Sequence, residues 1–208
     1  MRRTDVLRAS PPMFRSRMLD SLTRVHPLVP VAIYLPVIAV MAVLGVQRTG
    51  PGVAAALALG GYAAWTLTEY WLHRVVFHHE PTHPLSVRLH WMMHGVHHDH
   101  PNDPLRLVMP PTVSAPLALA FGGLFWLLLG DAGAPAFMAG FSAGYLAYDM
   151  IHYHLHHHKP RSAWGRRLRE LHMRHHFQDH ERGFGVSAPW WDRVFGTAPS
   201  QQRERRPT

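Results

Sequence analysis

Four uncharged apolar runs, at residues 25–47, 49–68, 107–130 and 132–148, constrain this chain more than any other feature. A helix rises about 1.5 Å per residue, so about 20 residues cross a hydrocarbon core about 30 Å thick. The first three runs meet that length. The fourth has 17 residues before Asp149 and continues through Met150 and Ile151. The first run is too long and too rich in Pro for a signal peptide, and no small-residue cleavage site follows it. Runs one and two are joined by a few residues around Arg48, and runs three and four by a turn at Asp131. With Gly and Pro at the connections, they read as two helical hairpins.

Basic residues set the orientation. Six Arg precede the first run, three lie in 73–106, eleven Lys/Arg follow the fourth run, and Arg48 alone lies on the other side. The positive-inside rule then places the N-terminus, the middle loop and the C-terminal tail in the cytoplasm, with a bacterial inner membrane as the expected location. A formal charge of +8 would suit nucleic acid as well as an anionic membrane surface. The basic residues flank apolar runs, so the membrane is expected as partner and nucleic acid is not. The competing reading, a soluble protein with buried helices, fits poorly with four such runs and this charge asymmetry. With no Cys among the 208 residues, disulfides, thiolate metal sites and cysteine-held iron–sulfur clusters are excluded.

The expected organisation is a single domain over 1–208. A basic segment (1–24) precedes a transmembrane region (25–151) that contains a His-rich cytosolic loop (73–106). A His-rich cytosolic cap (152–197) and a flexible tail (198–208) follow. The fold class is all-α: four transmembrane helices in two hairpins, to which the family resemblance carried by the motifs at 73–197 adds a cytosolic helical cap.

Of the 19 His, 18 lie between His73 and His180. Four groups stand out, all on the cytoplasmic side: His73 with His78; His94, His97 and His98; His152 with His156; and His172, His175 and His176. Residues three and four apart share a helix face, so each HxxHH presents three imidazoles in one stripe. His73 and His78 are five apart and diverge by about 140° on an ideal helix. Either the helix loosens there or the two serve different metals. Ten histidines suffice for two metals with about five nitrogen ligands each, whereas one zinc takes about four. Imidazole suits iron, copper, nickel and zinc alike. Glu69, four residues before His73, and Asp149, three before His152, are candidates to accept the outer imidazole N–H; His90, one turn before His94, extends that stripe and reads either as support behind the ligands or as a structural residue. Interface-solvated carboxylates are the alternative for Glu69 and Asp149. His26, His79, His83, His100, His154, His157, His158 and His180 read as surface or packing residues.

The motifs HRVVFH (73–78), LHWMMHGVHHDHPND (89–103) with RLVMPP (106–111), GYLAYDMIHYHLHH (144–157) and LHMRHHFQDHERGFGVSAPWWDRVFGT (171–197) resemble the membrane-bound fatty acid hydroxylase/sterol desaturase superfamily. Within it the chain is most similar to the fatty acid 2-hydroxylases. The resemblance implies a dimetal site held by His73, His78, His94, His97, His98, His152, His156, His172, His175 and His176. It also implies O2-dependent hydroxylation of a fatty acyl chain at C2. Many eukaryotic relatives carry a cytochrome b5 domain; the roughly 25 residues before the first run cannot hold one.

Hydroxylating a saturated carbon needs a redox-active centre, so two iron ions are expected, with zinc as a substitute in purified protein. The chain has no cluster-binding cysteines and no nucleotide motif. Electrons are therefore expected from a separate ferredoxin, flavoprotein or cytochrome b5-like donor. The aromatic residues Trp164, Trp190, Trp191 and Phe195 either seat the cap at the membrane surface or pack within it. A desaturase or sterol/carotenoid oxidase with the same metal chemistry, a non-catalytic relative and a metal transporter are the alternatives. Transport fits poorly, because the histidines lie at or beyond the cytoplasmic ends of the runs.

Overall fold

The structure, a computed structural model, describes residues 2–79 and 81–199. Among these residues the chain is all-helical, without a strand. In chain order the elements are α1 (Arg3–Leu7), α2 (Arg17–Ser21), α3 (Leu28–Thr49), α4 (Pro51–Trp71), α5 (Pro84–His90), α6 (Val96–Asp99), α7 (Pro111–His157), α8 (Ala163–Phe177) and α9 (Trp190–Val194). Two π-helical stretches, Leu72–Phe77 and Trp91–Gly95, continue α4 and α5. The tail expected to be flexible lies, from residue 200 onward, outside the described residues.

Two glycines with positive φ turn the chain back on itself. Gly50 (φ 79°) ends α3, and Pro51 opens α4 at the position where a missing N–H costs nothing. Gly130 (φ 64°) breaks the 47-residue α7 into two arms. Ring contacts of Phe125 with Phe137 (4.7 Å) and Phe121 with Phe141 (4.9 Å) show that the arms fold against each other. Arg48 Nη1 donates to the Asp131 carbonyl (2.7 Å), so both turns lie at the same end of the bundle.

The second arm of α7 is the centre of the fold. It runs antiparallel to α3, as Tyr34 meets Tyr145 (4.7 Å) and Gly45 meets Ala136. It runs parallel to α4, as Gly61 lies against Phe137 and Gly144 against Trp65. The approach to α4 is backbone to backbone: a Cβ on Gly140 would stand 1.8 Å from the Ala58 carbonyl oxygen. Small residues at such crossings let membrane helices pack without a hydrophobic driving force. An aromatic core of Tyr34, Trp65, Phe141, Tyr145 and Tyr148 fills the space below.

The outer faces are apolar. Leu59, Leu119, Leu127 and Leu128 are 73%, 77%, 87% and 68% exposed, a surface that water disfavours and lipid accepts. Two helices, Leu28–Thr49 and Pro111–His157, are long and apolar enough to cross a membrane.

One expectation changes in detail. The third run begins as an irregular segment, because Pro110 and Pro111 delay the helix; Leu107 and Val108 are buried beside the histidines instead. The basic N-terminal segment is held as a strap against the residues before α7. Asp20 accepts from Arg106 (2.9 Å) and Arg24 (3.1 Å), Arg106 also donates to the Pro11 carbonyl, and Val25 N donates to the Leu105 carbonyl (2.6 Å).

Candidate metal centre

The end of the bundle opposite Gly50 and Gly130 gathers ten histidines into two groups. His73, His78, His94, His98 and His175 form one; His97, His152, His156, His172 and His176 form the other. Within each group one ring nitrogen per residue lies within 4.8 Å of all the others. The groups abut, with the rings of His98 and His176 stacked at 4.3 Å.

Each HxxHH is divided between the groups. His94 and His98 belong to the first and His97 to the second, whereas His172 and His176 belong to the second and His175 to the first. On a helix, positions i and i+4 differ by about 40° while i+3 falls about 60° to the other side, so a broad stripe faces two centres. The spacing of five between His73 and His78 is resolved by the π-helical stretch Leu72–Phe77. Its wider turn stacks residues five apart, and both rings enter the first group.

The donor chemistry fits a cation. His73 Nδ1 donates to the Phe184 carbonyl (2.7 Å) and His175 Nδ1 to the Arg182 carbonyl (2.8 Å), which leaves Nε2 of each neutral ring as a bare lone pair facing inward. His73 Nε2 and His94 Nε2 stand 3.2 Å apart, His97 and His152 Nε2 3.0 Å, and His156 and His172 Nε2 2.7 Å. The buried Nε2 atoms of His78, His175 and His176 have no hydrogen-bond partner among the described residues. Burial, reinforced by the neighbouring His175, pushes His78 down to about 2 and His98 to about 3; burial takes His175 to about 4. These rings are therefore neutral at pH 7, the state in which imidazole binds metals. All-nitrogen sets of five accommodate iron, copper, nickel or zinc.

The three residues expected behind the ligands are placed differently. Glu69 is buried, but it accepts from Ser187 N (2.8 Å) and Ser187 Oγ rather than from a ring, because the π-helical turn carries His73 toward Phe184. Asp149 accepts from Met109 N (3.3 Å) and the Tyr145 hydroxyl (3.3 Å), fixing the segment after Arg106 to α7. His90 donates from Nε2 to the Phe77 carbonyl (2.5 Å), one residue before His78. The eight histidines read as surface or packing residues lie outside both groups. Of the cap aromatics, Trp191 donates to Thr66 Oγ1 (3.1 Å) and Phe195 stacks on Tyr70 (4.9 Å), whereas Trp164 and Trp190 are exposed.

Residues 182–187 and Asp192 fall within the motif at 171–197, but the sequence assigned them no role of their own. The carbonyls of Arg182 and Phe184 carry no side-chain signature. Asp192, a carboxylate directly after Trp190 and Trp191, was the signal available for them.

Two cavities reach the histidines. One, of about 550 Å³, is walled by apolar side chains including Phe14, Leu22, Met93, Val113 and Leu117, and opens onto His94, His97 and His152. The other, of about 490 Å³, is more polar and borders His78, His94, His98 and His176 together with Arg74, His180 and Glu181.

A family model described as fatty acid hydroxylase matches residues 57–197, a span that holds all ten clustered histidines. A dihydroceramide fatty acyl 2-hydroxylase of Arabidopsis thaliana is 38% identical over 191 residues, 91% of this chain and 80% of that protein. A ceramide very long chain fatty acid hydroxylase of Saccharomyces cerevisiae is 38% identical over 194 residues; the match covers 91% of this chain and 50% of that protein, so this chain spans half of it. A solved structure described as full-length scs7p, with only its hydroxylase domain visible, superposes with a TM-score of 0.85 at 36% identity, covering 88% of this chain and 70% of the other.

Proposed function

The chain belongs to the fatty acid hydroxylase family, and from that premise we propose that it is a membrane-bound oxidoreductase that hydroxylates a fatty acyl chain at C2. The observation that carries this reading is the meeting of the apolar cavity with His94, His97 and His152. That cavity takes an alkyl chain and presents its polar end to the histidines. The two relatives named above are hydroxylases of fatty acyl chains, one of them by its description a 2-hydroxylase.

All ten clustered histidines are proposed as metal ligands, five to each of two irons. Bound iron supplies the O2 reduction that oxidation of a saturated C–H bond requires, chemistry beyond side-chain acids and bases. The chain's own part is binding and orientation. His73 and His175 are held in one tautomer by backbone carbonyls, so their Nε2 lone pairs point inward. Tyr148 and His152 share the cavity wall, and the apolar lining keeps water from the reacting carbon. Balance requires one oxygen atom in the product and one in water, with two electrons and two protons from outside. A separate ferredoxin, flavoprotein or cytochrome b5-like protein is proposed as the electron source, drawn by the basic surface.

In the membrane, α3, α4 and the two arms of α7 are proposed to span the bilayer as two hairpins, within a single hydroxylase domain. At about 1.5 Å per residue, the 22 residues of α3 and 21 of α4 match a core about 30 Å thick. The histidine end faces the cytoplasm by the distribution of Arg and Lys. Both named relatives are eukaryotic, so the bacterial inner membrane draws no support from them.

The test is mass-spectrometric profiling of acid-released fatty acids from a host expressing the wild type or His97→Ala, each with a candidate donor. A gain of one oxygen at C2 in the wild type alone is expected. A loss of two hydrogens would instead make the protein a desaturase.

A further inference from the structure

We propose that Asp192 is a positioning residue for one of the two metal positions, acting on His73 through a peptide group. The inference rests on the ligand assignment above. His73 Nδ1 donates to the carbonyl oxygen of Phe184 at 2.7 Å. The N–H of that same peptide unit belongs to Gly185, and it donates to Asp192 Oδ2 at 2.9 Å. The peptide therefore stands between an imidazole and a carboxylate, in the place a direct carboxylate–histidine contact occupies in simpler metal sites.

The other carboxylate oxygen anchors the arrangement. Asp192 Oδ1 accepts from Phe184 N (2.8 Å) and Thr197 Oγ1 (2.8 Å). A second peptide repeats the pattern: the Arg182 carbonyl accepts from His175 Nδ1 (2.8 Å), and the N–H of the same unit, on Gly183, donates to the Thr197 carbonyl (2.9 Å). Asp192 is 2% exposed, so its charge acts in a low-dielectric setting. Hydrogen bonds in such a chain polarise one another. The carboxylate draws the Gly185 proton, the Phe184 oxygen becomes a stronger acceptor, and the His73 ring becomes a stronger donor at Nε2.

His73 and His175 both belong to the first group. In the second group the buried Nδ1 atoms of His156 and His172 have no hydrogen-bond partner among the described residues. The two metal positions are thus supported unequally, and the first binds more tightly.

The experiment measures metal content and chelator-driven metal release for purified full-length protein loaded with iron, alongside its Mössbauer spectrum. Wild-type release is expected in two phases, with His73→Ala removing the slow phase and His172→Ala the fast one. Asp192→Asn keeps the side chain's shape but sets a donor amide where one of the acceptor oxygens stands. It is expected to weaken the slow phase about 10–100-fold and to change one of two iron signals, leaving the other as in wild type. Thr197→Val, which loosens the anchor without touching Oδ2, is expected to keep both phases.

A single release phase in the wild type would overturn the inequality, even if Asp192→Asn fails to fold. Wild-type release from Asp192→Asn, with His73→Ala losing a metal, would overturn the relay and leave the ligand assignment standing. Equal weakening of both phases would make Asp192 a scaffold residue only. Two retained metals in His73→Ala would overturn the ligand assignment itself, and the relay with it.

Discussion

Replacing Gly140 by Ala adds one methyl group where α7 crosses closest over α4 at a described glycine. The new Cβ would stand 1.8 Å from the Ala58 oxygen and 2.6 Å from its carbon, whereas ordinary van der Waals contact begins at 3.4 Å. Both obstructing atoms are main chain, so no rotamer change relieves them, and α4 and α7 must separate by about 1.6 Å at this level. Overpacking of this kind costs about 1–3 kcal/mol. The functional consequence is larger. The far end of α7 carries His152 and His156, and the π-helical continuation of α4 carries His73 and ends at His78. Metal–ligand distances tolerate about 0.2 Å, so an eighth of the shift reaching the histidines exhausts the tolerance. We expect Gly140→Ala to lower the melting temperature in detergent and to lose at least one metal per chain, read by tryptophan fluorescence and by elemental analysis. Gly123→Ala is the control: its Cβ would meet nothing within 4 Å, and it should be neutral or stabilising by up to about 1 kcal/mol. Wild-type melting and full metal content in Gly140→Ala would refute the argument that the helix crossing sets the ligand geometry.

Leu117 lines the apolar cavity on α7, and Leu117→Trp should shift hydroxylated products toward shorter acyl chains in a lipid profile; an unchanged chain-length distribution would remove the cavity from substrate binding. Arg106→Leu should leave Asp20 and the Pro11 carbonyl without their buried donor, at about 1–3 kcal/mol, and speed tryptic cleavage at Arg15 and Arg17; equal cleavage would show that the strap is held elsewhere. In metal-free protein, His78, His98 and His175 take up protons near 6.5 when unfolded but only near 2, 3 and 4 when folded. The unfolded state binds more protons below 6.5, so stability should fall with acidification, by up to about 4 kcal/mol per pH unit between about 6.5 and 4. A melting temperature that is flat between pH 7 and 5 would contradict that sign.

The helices and the ten clustered histidines were legible because each rests on a local pattern: apolar run length, turn residues, and spacings of three, four and five. How the histidines sort into groups was not. That depends on what each face of a helix meets, and His97 and His98 part company over one residue. Glu69 was legible as a buried carboxylate near His73, but its partner Ser187 lies 118 residues away. The role of the N-terminal segment was hidden for a related reason. Its Arg residues read as membrane-facing charge, whereas Asp20, whose carboxylate pairs with Arg106, looks ordinary in isolation.

The division of each HxxHH between the two groups also bears on how such a centre arises and persists. One residue inserted between His94 and His97 would rotate the later histidines by about 100° and misdirect ligands for both positions together. The same holds between His172 and His175. Neither half can be gained, repurposed or discarded by itself, so the pair passes between descendants as one inherited character. The two residues between the first and second histidine of each HxxHH are thereby fixed in number, and Val96, buried among the histidines' neighbours, is constrained in identity as well.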